Sequence, residues 1–314
     1  MAENKCLYCY QKLEDSETYF HKKCSRKLFG TENAPLLDLS LSEIEDYAVD
    51  ILKRSVSVTG VQPKLSVDIK KSKNAPSRLT LVGLWGQYIL KPPHRDYPEM
   101  PEIEDLTMKM AQLVGIQTAD HSLIRMNSGE LAYISKRFDR NPQGKLHLED
   151  FAQILEVLTE RKYSGSVERI GKAIVKFSSF PGNDLINLFE LVLFSFLTGN
   201  SDMHLKNYSL LRDEHDFIKL SPAYDLLSTQ LLLPEDKEEY AITINGKKSN
   251  IRRKDFDKLA DSFRITEKTL ASIYKKFTAI YDSWVEIIKR SFLSEANQEK
   301  YKTLIKSNME KISL

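Results

Sequence analysis

Residues 198–207 read TGNSDMHLKN and directly follow the apolar run LINLFELVLFSFL at residues 185–197. One loop therefore combines an acid, an imidazole, an amine and carboxamides at the end of a strongly apolar predicted helix. A second acid, Asp225, stands in PAYDLLS, after the predicted strand pair NYSLLR and FIKLSP. A β-hairpin that brings Asp202, Asn207 and Asp225 together would offer Mg²⁺ the hard oxygen ligands that it prefers.

The composition excludes several classes of protein. Of the 314 residues, 41% are hydrophobic and 29% charged, and the net charge is only +2, which indicates a soluble globular protein without the basic excess of a direct nucleic-acid binder. The first residues contain no apolar stretch of signal-peptide length. The apolar run carries Asn187 and Glu190 and is too short for a membrane span. Three cysteines, an odd number, indicate no disulfide framework. We therefore expect a cytoplasmic protein with no membrane partner.

The chain divides into three parts by pattern. Residues 1–30 form a Cys/His segment, residues 31–140 a β-rich N-lobe, and residues 141–314 a helical C-lobe. In the N-lobe, KLSVDI, RLTLVG and QYILK predict strands, HSLIRM and LAYISKRF predict a hairpin, and PEIEDLTMKMAQLVG predicts a helix that ends at Gly115. The expected fold class is α+β, with a small β-rich lobe and a larger helical lobe.

Helical periodicity dominates the C-lobe. The predicted helices are EDFAQILEVL, SVERIGKAIVKFS, DLINLFELVLFSFLTG and TEKTLASIYKKFTAIYDSWVEIIKRSF. The strand pair NYSLLR and FIKLSP is the one clear β feature of this half.

Several residues occur in the order that phosphoryl transfer requires. Such a site needs a backbone-rich loop over the phosphates, a strand lysine, a glutamate that fixes the lysine, an acid that accepts the hydroxyl proton, and an amide and a second acid for the metal. The chain supplies, in this order, the small-residue turn SVSVTGVQPK, Lys91, Glu104, Asp202, Asn207 and Asp225. The spacing of Asp202 and Asn207 is also that of the catalytic loop of protein kinases.

On these residues the chain resembles the HipA family of serine/threonine-kinase toxins, in particular the short, split form called HipT. The matching stretches are SVTGVQPK, YILKPP, IEDLTMKMAQLVG, SKRFDR, LTGNSDMHLKNYSLL and LSPAYDLLS, which cover about residues 55 to 230. The loop has Asp-Met-His where HipA proteins mostly have Asp-Gly-His, and the motifs DFG and APE do not occur. The resemblance implies a two-lobed, protein-kinase-like fold and an ATP- and Mg²⁺-dependent serine/threonine protein kinase.

The resemblance also assigns roles to individual residues. Asp202 would be the catalytic base, and Asn207 and Asp225 would bind Mg²⁺. Lys91 would contact the ATP phosphates and pair with Glu104. The remaining cofactor contacts would come from the phosphate loop at Gly60, Val61 and Gln62 and from backbone facing the adenine at Lys136, Arg137 and Phe138. His204 would line the catalytic loop, either holding its shape or transferring a proton, and Lys206 would stabilise the transferring phosphoryl group.

The family carries an autophosphorylated serine in its Gly-containing loop. Ser57, three residues before Gly60, holds that position, and Thr59 and Ser55 compete with it. A phosphate there adds roughly −1.5 to −2 charge beside the phosphates of ATP. The modification is therefore expected to act as an off-switch.

The resemblance further implies the partners of a toxin–antitoxin system. These are a HipB-like antitoxin, a small HipS-like protein that supplies the missing N-terminal subdomain, and a translation component such as an aminoacyl-tRNA synthetase as substrate. Two alternatives stay open: a catalytically weak corepressor that binds a DNA-binding antitoxin, and a small-molecule kinase.

The Cys/His segment forms a separate pattern. Cys6, Cys9, His21 and Cys24 have the spacing C-x2-C-x11-H-x2-C. Tetrahedral sulfur and nitrogen ligation of Zn²⁺ folds segments that are too short for a core of their own. The alternative is a set of unligated thiols near a mobile end. We expect a structural zinc site.

Overall fold

The computed structural model describes residues 4–44, 63–71, 76–82, 85–141 and 143–314. The chain separates into two compact units, which we call the N-terminal unit and the C-terminal unit. The N-terminal unit comprises Met1–Asp105, Ala119–Phe138 and Arg290–Phe292, and the C-terminal unit comprises Leu106–Thr118, Asp139–Lys289 and Leu293–Leu314. One unit is rich in strands and the other in helices, which confirms the α+β class. The predicted boundaries after residues 30 and 140 stay predictions.

A five-stranded antiparallel sheet forms the centre of the N-terminal unit. Its strands, in the order β2-β1-β3-β5-β4, are β1 (Leu65–Lys70), β2 (Arg78–Leu81), β3 (Tyr88–Lys91), β4 (His121–Arg125) and β5 (Leu131–Lys136). The three predicted strands and the predicted hairpin are therefore confirmed. Leu36 bridges to Arg78 beside β2, and Leu37 bridges to Met126 beside β4. The connecting segment thus covers part of both sheet edges, where unpaired backbone groups would otherwise be exposed.

The described residues of the N-terminal unit include all or part of two longer helices. Helix α1 (Lys22–Phe29) ends at Gly30, whose φ of 73° is the left-handed conformation that glycine adopts without strain. Helix α2 (Met100–Leu113) is followed by Gly115, with φ 88°, so the predicted helix and its end are confirmed. Ile103, Leu106 and Met110 on it are fully buried, whereas Leu113 in the last turn is exposed.

The C-terminal unit is built around α5 (Pro181–Leu197), which contains the apolar run. Its other helices are α3 (Phe151–Ile154), α4 (Val167–Phe177), α6 (Thr229–Leu232), α7 (Arg253–Ser262), α8 (Glu267–Ala279), α9 (Tyr281–Arg290) and α10 (Glu295–Lys311). Its strands are β6 (Arg140–Asn141), β7 (Gly144–Lys145), β8 (Leu148–Asp150), β9 (Ser209–Arg212) and β10 (Ile218–Leu220). The predicted pairing of the last two is confirmed, and β8 adds a third strand to them.

Two helix predictions were wrong in extent. EDFAQILEVL forms only one helical turn, because Glu156 adopts a φ of 53° that an α-helix does not accept. The segment at residues 266–292 is two helices, α8 and α9, rather than one. No glycine or proline separates them, and the buried positions keep a helical spacing from Phe277 to Trp284 across the break. Periodicity therefore cannot reveal the interruption.

No helix among the described residues combines the length and apolar character that crossing a bilayer requires. The most apolar helix, α5, buries its side chains inside the C-terminal unit instead. Leu188, Phe189, Val192 and Phe196 on it are at most 1% exposed. The apolar run is therefore core.

The first turn of α2 contains an acid whose titration makes folding depend on pH. Burial raises the pKa of Glu102 from its ordinary 4.5 to about 7; Glu99 and Asp105 also raise it, and Arg125 opposes them. Between pH 4.5 and about 7, the folded protein thus holds a proton that the unfolded chain releases. The resulting loss of folding stability is absent below pH 4.5 and complete above about 7. We expect Glu102→Gln to raise the free energy of unfolding at pH 8 by up to about 3 kcal/mol.

Urea unfolding of wild type and Glu102→Gln at pH 4.5 and pH 8 measures this difference. Glu295→Gln, at the exposed first turn of α10, is the matched control and should change little at either pH. An equal gain of the Glu102 variant at both pH values would contradict the assignment.

Candidate active site

The polar loop begins where α5 ends. The hydroxyl of Thr198 donates a hydrogen bond to Phe194 O at 2.9 Å, and Gly199 follows with φ 67°. A Cβ at Gly199 would lie 2.8 Å from a methyl carbon of Leu304 and 3.0 Å from the Gln230 side chain. Only glycine fits this turn without displacement of its neighbours. The chain is thereby forced out of the helix at a defined point.

Hydrogen bonds within the loop fix its shape. Asn207 Nδ2 donates to Asp202 O at 3.0 Å, and the His204 amide donates to the same carbonyl at 2.8 Å. Asp202 N–H donates to Asn200 Oδ1 at 3.3 Å. Residues 205–207 form a single 3-10 turn, Leu205–Asn207. The loop is therefore closed on itself by its own side chains and held rigid.

Tyr163 is a residue of this site that the sequence reasoning missed. Its hydroxyl donates to Asp202 Oδ1 at 2.7 Å, and its ring meets the His204 ring edge-on at 5.2 Å. Burial raises the pKa of Tyr163, and the hydrogen bond to Asp202 adds to the effect. The phenol therefore stays protonated and remains a donor to the carboxylate.

His204 is a buried imidazole in the polar loop, and nearby charged groups influence its pKa. The residue is only 5% exposed, and this burial, the largest effect, lowers its pKa. The carboxylates of Asp202 and Asp225 both act on the imidazole in the opposite direction. The pKa nevertheless remains below its ordinary value, so the ring is neutral near pH 7. Asp202 and Asp225 are thus both near enough to the imidazole to influence its pKa.

Asp225 lies in the loop after β10 with a φ of 55°, a left-handed conformation that Asp and Asn adopt more readily than most residues. The preceding residue, Tyr224, ties this loop to the first one. Its hydroxyl donates to Lys206 O at 2.9 Å and is 2.5 Å from Ser209 Oγ. The carboxylate of Asp225 and the amide oxygen of Asn207 are thus offered by two connected loops, and both are suitable ligands for Mg²⁺.

Lys206 forms an ion pair within the C-terminal unit. Its Nζ is 2.7 Å from Asp150 Oδ2, and Asp150 also caps α3 by accepting from Gln153 N at 2.9 Å. Asp150 is a second residue that sequence reasoning missed. The amine is half-buried and held at a fixed point beside the loop.

In the N-terminal unit, Lys91 and Glu104 form a buried ion pair. Nζ of Lys91, the last residue of β3, is 2.5 Å from Glu104 Oε1 on α2. The side chains are only 6% and 1% exposed. Lys91 also lies over the Tyr133 ring at 5.3 Å. Both charges are removed from water, and only a close contact between them offsets the cost of this desolvation. That contact requires β3 and α2 to stay in their relative positions.

A second buried network lies one residue further along α2. Asp105 accepts from Tyr10 Oη at its Oδ2 and contacts His121 Nδ1 with its Oδ1, each at 2.6 Å. No spacing pattern in the sequence joins these three residues, which lie far apart along the chain.

The remaining predicted residues have different outcomes. Lys136, Arg137 and Phe138 lie at and beyond the end of β5, where Lys136 N–H donates to Asp120 O and Arg137 N–H to Gln87 O, at 2.7 and 2.8 Å. These two amides are therefore already used within the protein. The phosphate loop and the phosphosites, namely Ser55, Ser57, Thr59, Gly60, Val61 and Gln62, lie outside the described residues.

The Cys/His segment gathers its four predicted ligands. The ligand atoms of Cys6, Cys9, His21 and Cys24 all lie within 4.8 Å of one another. This group is able to bind a metal ion, since three thiols and an imidazole are the ligand set of closed structural sites.

Comparison with solved structures identifies the fold as HipA-like. A chain in the complex of HipA, HipB and operator DNA from the Shewanella oneidensis MR-1 toxin–antitoxin system matches with a TM-score of 0.70 and 22% identity. The match covers 90% of this chain and 72% of that chain. At this identity the likeness concerns the fold, which is the two-lobed kinase-like fold that the motifs predicted.

The chain belongs to the family of the HipA-like C-terminal domain, which matches residues 56–284. "Putative kinase Y4dM" of Sinorhizobium fredii is 32% identical over 72% of this chain and 59% of its own length. The serine/threonine-protein kinase toxin HipA of Shewanella oneidensis is 30% identical over 60% of this chain and 46% of its own length. The chain spans about half the length of the curated relatives that it matches.

The buried ion pair generates a stability prediction. Replacing Glu104 with Gln leaves the charge of Lys91 in a buried environment, so we expect the free energy of unfolding to fall by about 3 kcal/mol or more. The double variant Lys91→Met, Glu104→Leu removes both charges and should lose less. Urea unfolding of wild type and of both variants measures these two losses.

Glu286→Gln is the matched control, because Glu286 pairs with Lys289 at 2.8 Å on an exposed surface. That change should cost less than about 1 kcal/mol. Equal losses at Glu104 and Glu286 would show that the buried pair is not held as described.

Proposed function

We propose that the chain is an ATP- and Mg²⁺-dependent serine/threonine protein kinase that acts as the toxin of a toxin–antitoxin system. The observation that supports it best is the pair of hydrogen-bonded loops that carry Asp202, Asn207 and Asp225, within a chain of the HipA-like family. Fold alone does not define an activity, so this donor set carries the proposal.

In the proposed reaction, the hydroxyl oxygen of a protein serine or threonine forms a bond to the γ-phosphorus of ATP. The bond from that phosphorus to the bridging oxygen breaks, and ADP leaves with the electron pair. Asp202 accepts the hydroxyl proton. Asn207 and Asp225 hold Mg²⁺, which neutralises charge on the phosphates when bound. Neutral His204 holds the loop in shape.

The N-terminal unit supplies the other proposed contacts. Lys91 binds the ATP phosphates, and Glu104 fixes the amine in place. The loop proposed to bind the phosphates contains Gly60, Val61 and Gln62. Because the amides of Lys136 and Arg137 are already used, adenine recognition falls to other backbone groups of residues 136–138. Lys206 stabilises the transferring phosphoryl group from its anchor on Asp150.

The proposed partners follow from the resemblance and from the relatives. The matching solved structure is a complex of HipA with HipB and operator DNA, which supports a HipB-like antitoxin as partner here. The resemblance to the HipT form supports a small HipS-like protein as a second partner. It also supports an aminoacyl-tRNA synthetase as the substrate. Both proposals place the protein in the cytoplasm.

Zn²⁺ is the metal we propose for the Cys/His segment. Thiolate and imidazole ligands select zinc over Mg²⁺, which prefers oxygen. The site is closed by four protein ligands and is therefore structural rather than catalytic.

Removing either acid should abolish phosphoryl transfer. Asp202→Asn removes the base and Asp225→Asn removes a metal ligand, while Asn keeps the backbone conformation at both positions. We expect transfer of radiolabel from ATP to fall by about a thousandfold or more in each variant, with unchanged circular dichroism and thermal unfolding.

Asp216→Asn is the matched control, since Asp216 is exposed and, like Asp225, has a positive φ of 64°. It should retain full activity. Wild-type rates in both Asp202→Asn and Asp225→Asn would refute the proposed site.

Autophosphorylation should occur at Ser57. Incubation with ATP should add the mass of one phosphoryl group to the intact chain, and phosphatase should remove it. Ser57→Ala should abolish the addition, whereas Thr59→Ala and Ser55→Ala should retain it. Asp202→Asn should show no addition, which distinguishes the chain's own activity from that of a contaminating kinase. A phosphate localised elsewhere by fragment mass spectrometry would contradict the assignment.

A further inference from the structure

The Cys/His segment has the dimensions of a zinc site. His21 Nδ1 lies 3.3 Å from Cys9 Sγ and 3.7 Å from Cys24 Sγ. Tetrahedral zinc with its usual bond lengths requires sulfur–nitrogen separations of about 3.6 Å. His21 Nδ1 therefore already stands close to the spacing from two thiol sulfurs that a shared ion would impose, and all four ligand atoms lie within 4.8 Å of one another.

The surrounding hydrogen bonds also suit metal ligation. His21 Nε2 lies 3.0 Å from Lys12 O, which requires the proton on Nε2 and leaves the lone pair of Nδ1 directed at the thiols. A backbone carbonyl that fixes the imidazole in this way is the usual second partner of a metal-binding histidine. The His21 amide donates to Cys6 Sγ at 3.5 Å, which favours a thiolate there.

Two contacts connect this segment to the sheet and to α2. Tyr10, directly after the ligand Cys9, is 1% exposed and donates to Asp105 Oδ2 at 2.6 Å. Leu28, one turn after the ligand Cys24, accepts at its carbonyl from Tyr88 Oη at 3.1 Å. Each contact thus begins within four residues of a metal ligand.

The two contacts reach the two elements that carry the buried ion pair. Asp105 adjoins Glu104 on α2, and Tyr88 lies on β3, the strand that ends at Lys91. The rings of Phe29 and Tyr88 add a further contact, with centroids 5.8 Å apart. All of these residues belong to the N-terminal unit. The segment therefore holds β3 and α2 at the same time.

We propose that the zinc-loaded Cys/His segment braces β3 and α2, so that zinc is required to keep Lys91 and Glu104 paired and able to bind a nucleotide. The segment is shorter than the roughly 40 residues that usually sustain a core alone, so its folding depends on the ion. The nucleotide part of this inference rests on the proposed kinase function; the brace itself does not.

The test combines three measurements on the full chain. Elemental mass spectrometry counts zinc per chain, hydrogen exchange follows the amides of β3 and of residues 102–106, and a fluorescent ATP analogue reports affinity. We expect wild type to hold one zinc and Cys9→Ser to hold less than about a tenth of that. In the variant, exchange at both elements should rise by about tenfold or more, and ATP affinity should fall.

Tyr10→Phe separates bracing from metal binding. It should keep the zinc, yet raise exchange at residues 102–106 by about tenfold, because it removes a hydrogen bond to a carboxylate. Tyr19→Phe is the matched control in the same segment, since Tyr19 is 41% exposed, and it should change neither quantity. Amides of α5 in the C-terminal unit serve as the internal reference for folding.

Three outcomes distinguish the metal site, the brace and the proposed kinase function from one another. Wild-type protein purified with zinc but containing none would overturn the metal site. If wild type holds zinc but hydrogen exchange at β3 and residues 102–106 is unchanged in both Cys9→Ser and Tyr10→Phe, the brace is overturned. If exchange responds as expected while wild type binds no nucleotide, the brace is supported and the proposed kinase function fails.

Discussion

The arrangement of the N-terminal unit depends on how its buried charged groups are paired, because removing a charge from water is costly. Lys91 and Glu104 are both nearly inaccessible, and a buried charge survives only with a partner at close range. The same constraint governs the network of Tyr10, Asp105 and His121. In each case the hydrogen bonds determine which backbone elements must lie beside one another, so the buried polar groups specify the arrangement of the N-terminal unit as firmly as its apolar core does.

The C-terminal unit meets this constraint differently. Its polar loop follows an apolar helix. If the loop simply ran across the core, buried backbone N–H and C=O groups would be left without hydrogen-bond partners. Asn207 instead bonds back to the Asp202 carbonyl, and Tyr224 joins the second loop to the first. The side chains that close the loops belong to the same stretches as those proposed for chemistry. The same two loops thus supply both the hydrogen bonds that fix their shape and the side chains proposed for chemistry.

Much of the fold could be predicted, because its signals are local. The strands of the five-stranded sheet, the hairpin and the end of α2 at Gly115 follow from alternation, turn residues and glycine. The break between α8 and α9 does not, since the helical spacing continues through it. Helices α7 and α10 are mainly polar and were not predicted, although their buried residues, such as Phe256, Leu259 and Ala260 of α7, do have helical spacing.

The candidate site divides in the same way. The order of Lys91, Glu104, Asp202 and Asn207 along the chain sufficed to select them. Tyr163 and Asp150 escaped selection because they reach their partners across 39 and 56 residues, and no periodic signal spans such distances.

The hydrogen bond from Tyr163 to Asp202 has a consequence for substrate entry. In the proposed reaction, a serine or threonine must present its hydroxyl to the same carboxylate. The Tyr163 hydroxyl already donates a hydrogen bond to Oδ1 of that carboxylate. An acceptor protein must either dislodge this phenol or use the opposite oxygen. In the proposed kinase, Tyr163 would therefore shield the Asp202 carboxylate from other hydroxyl groups until an acceptor protein displaces the phenol.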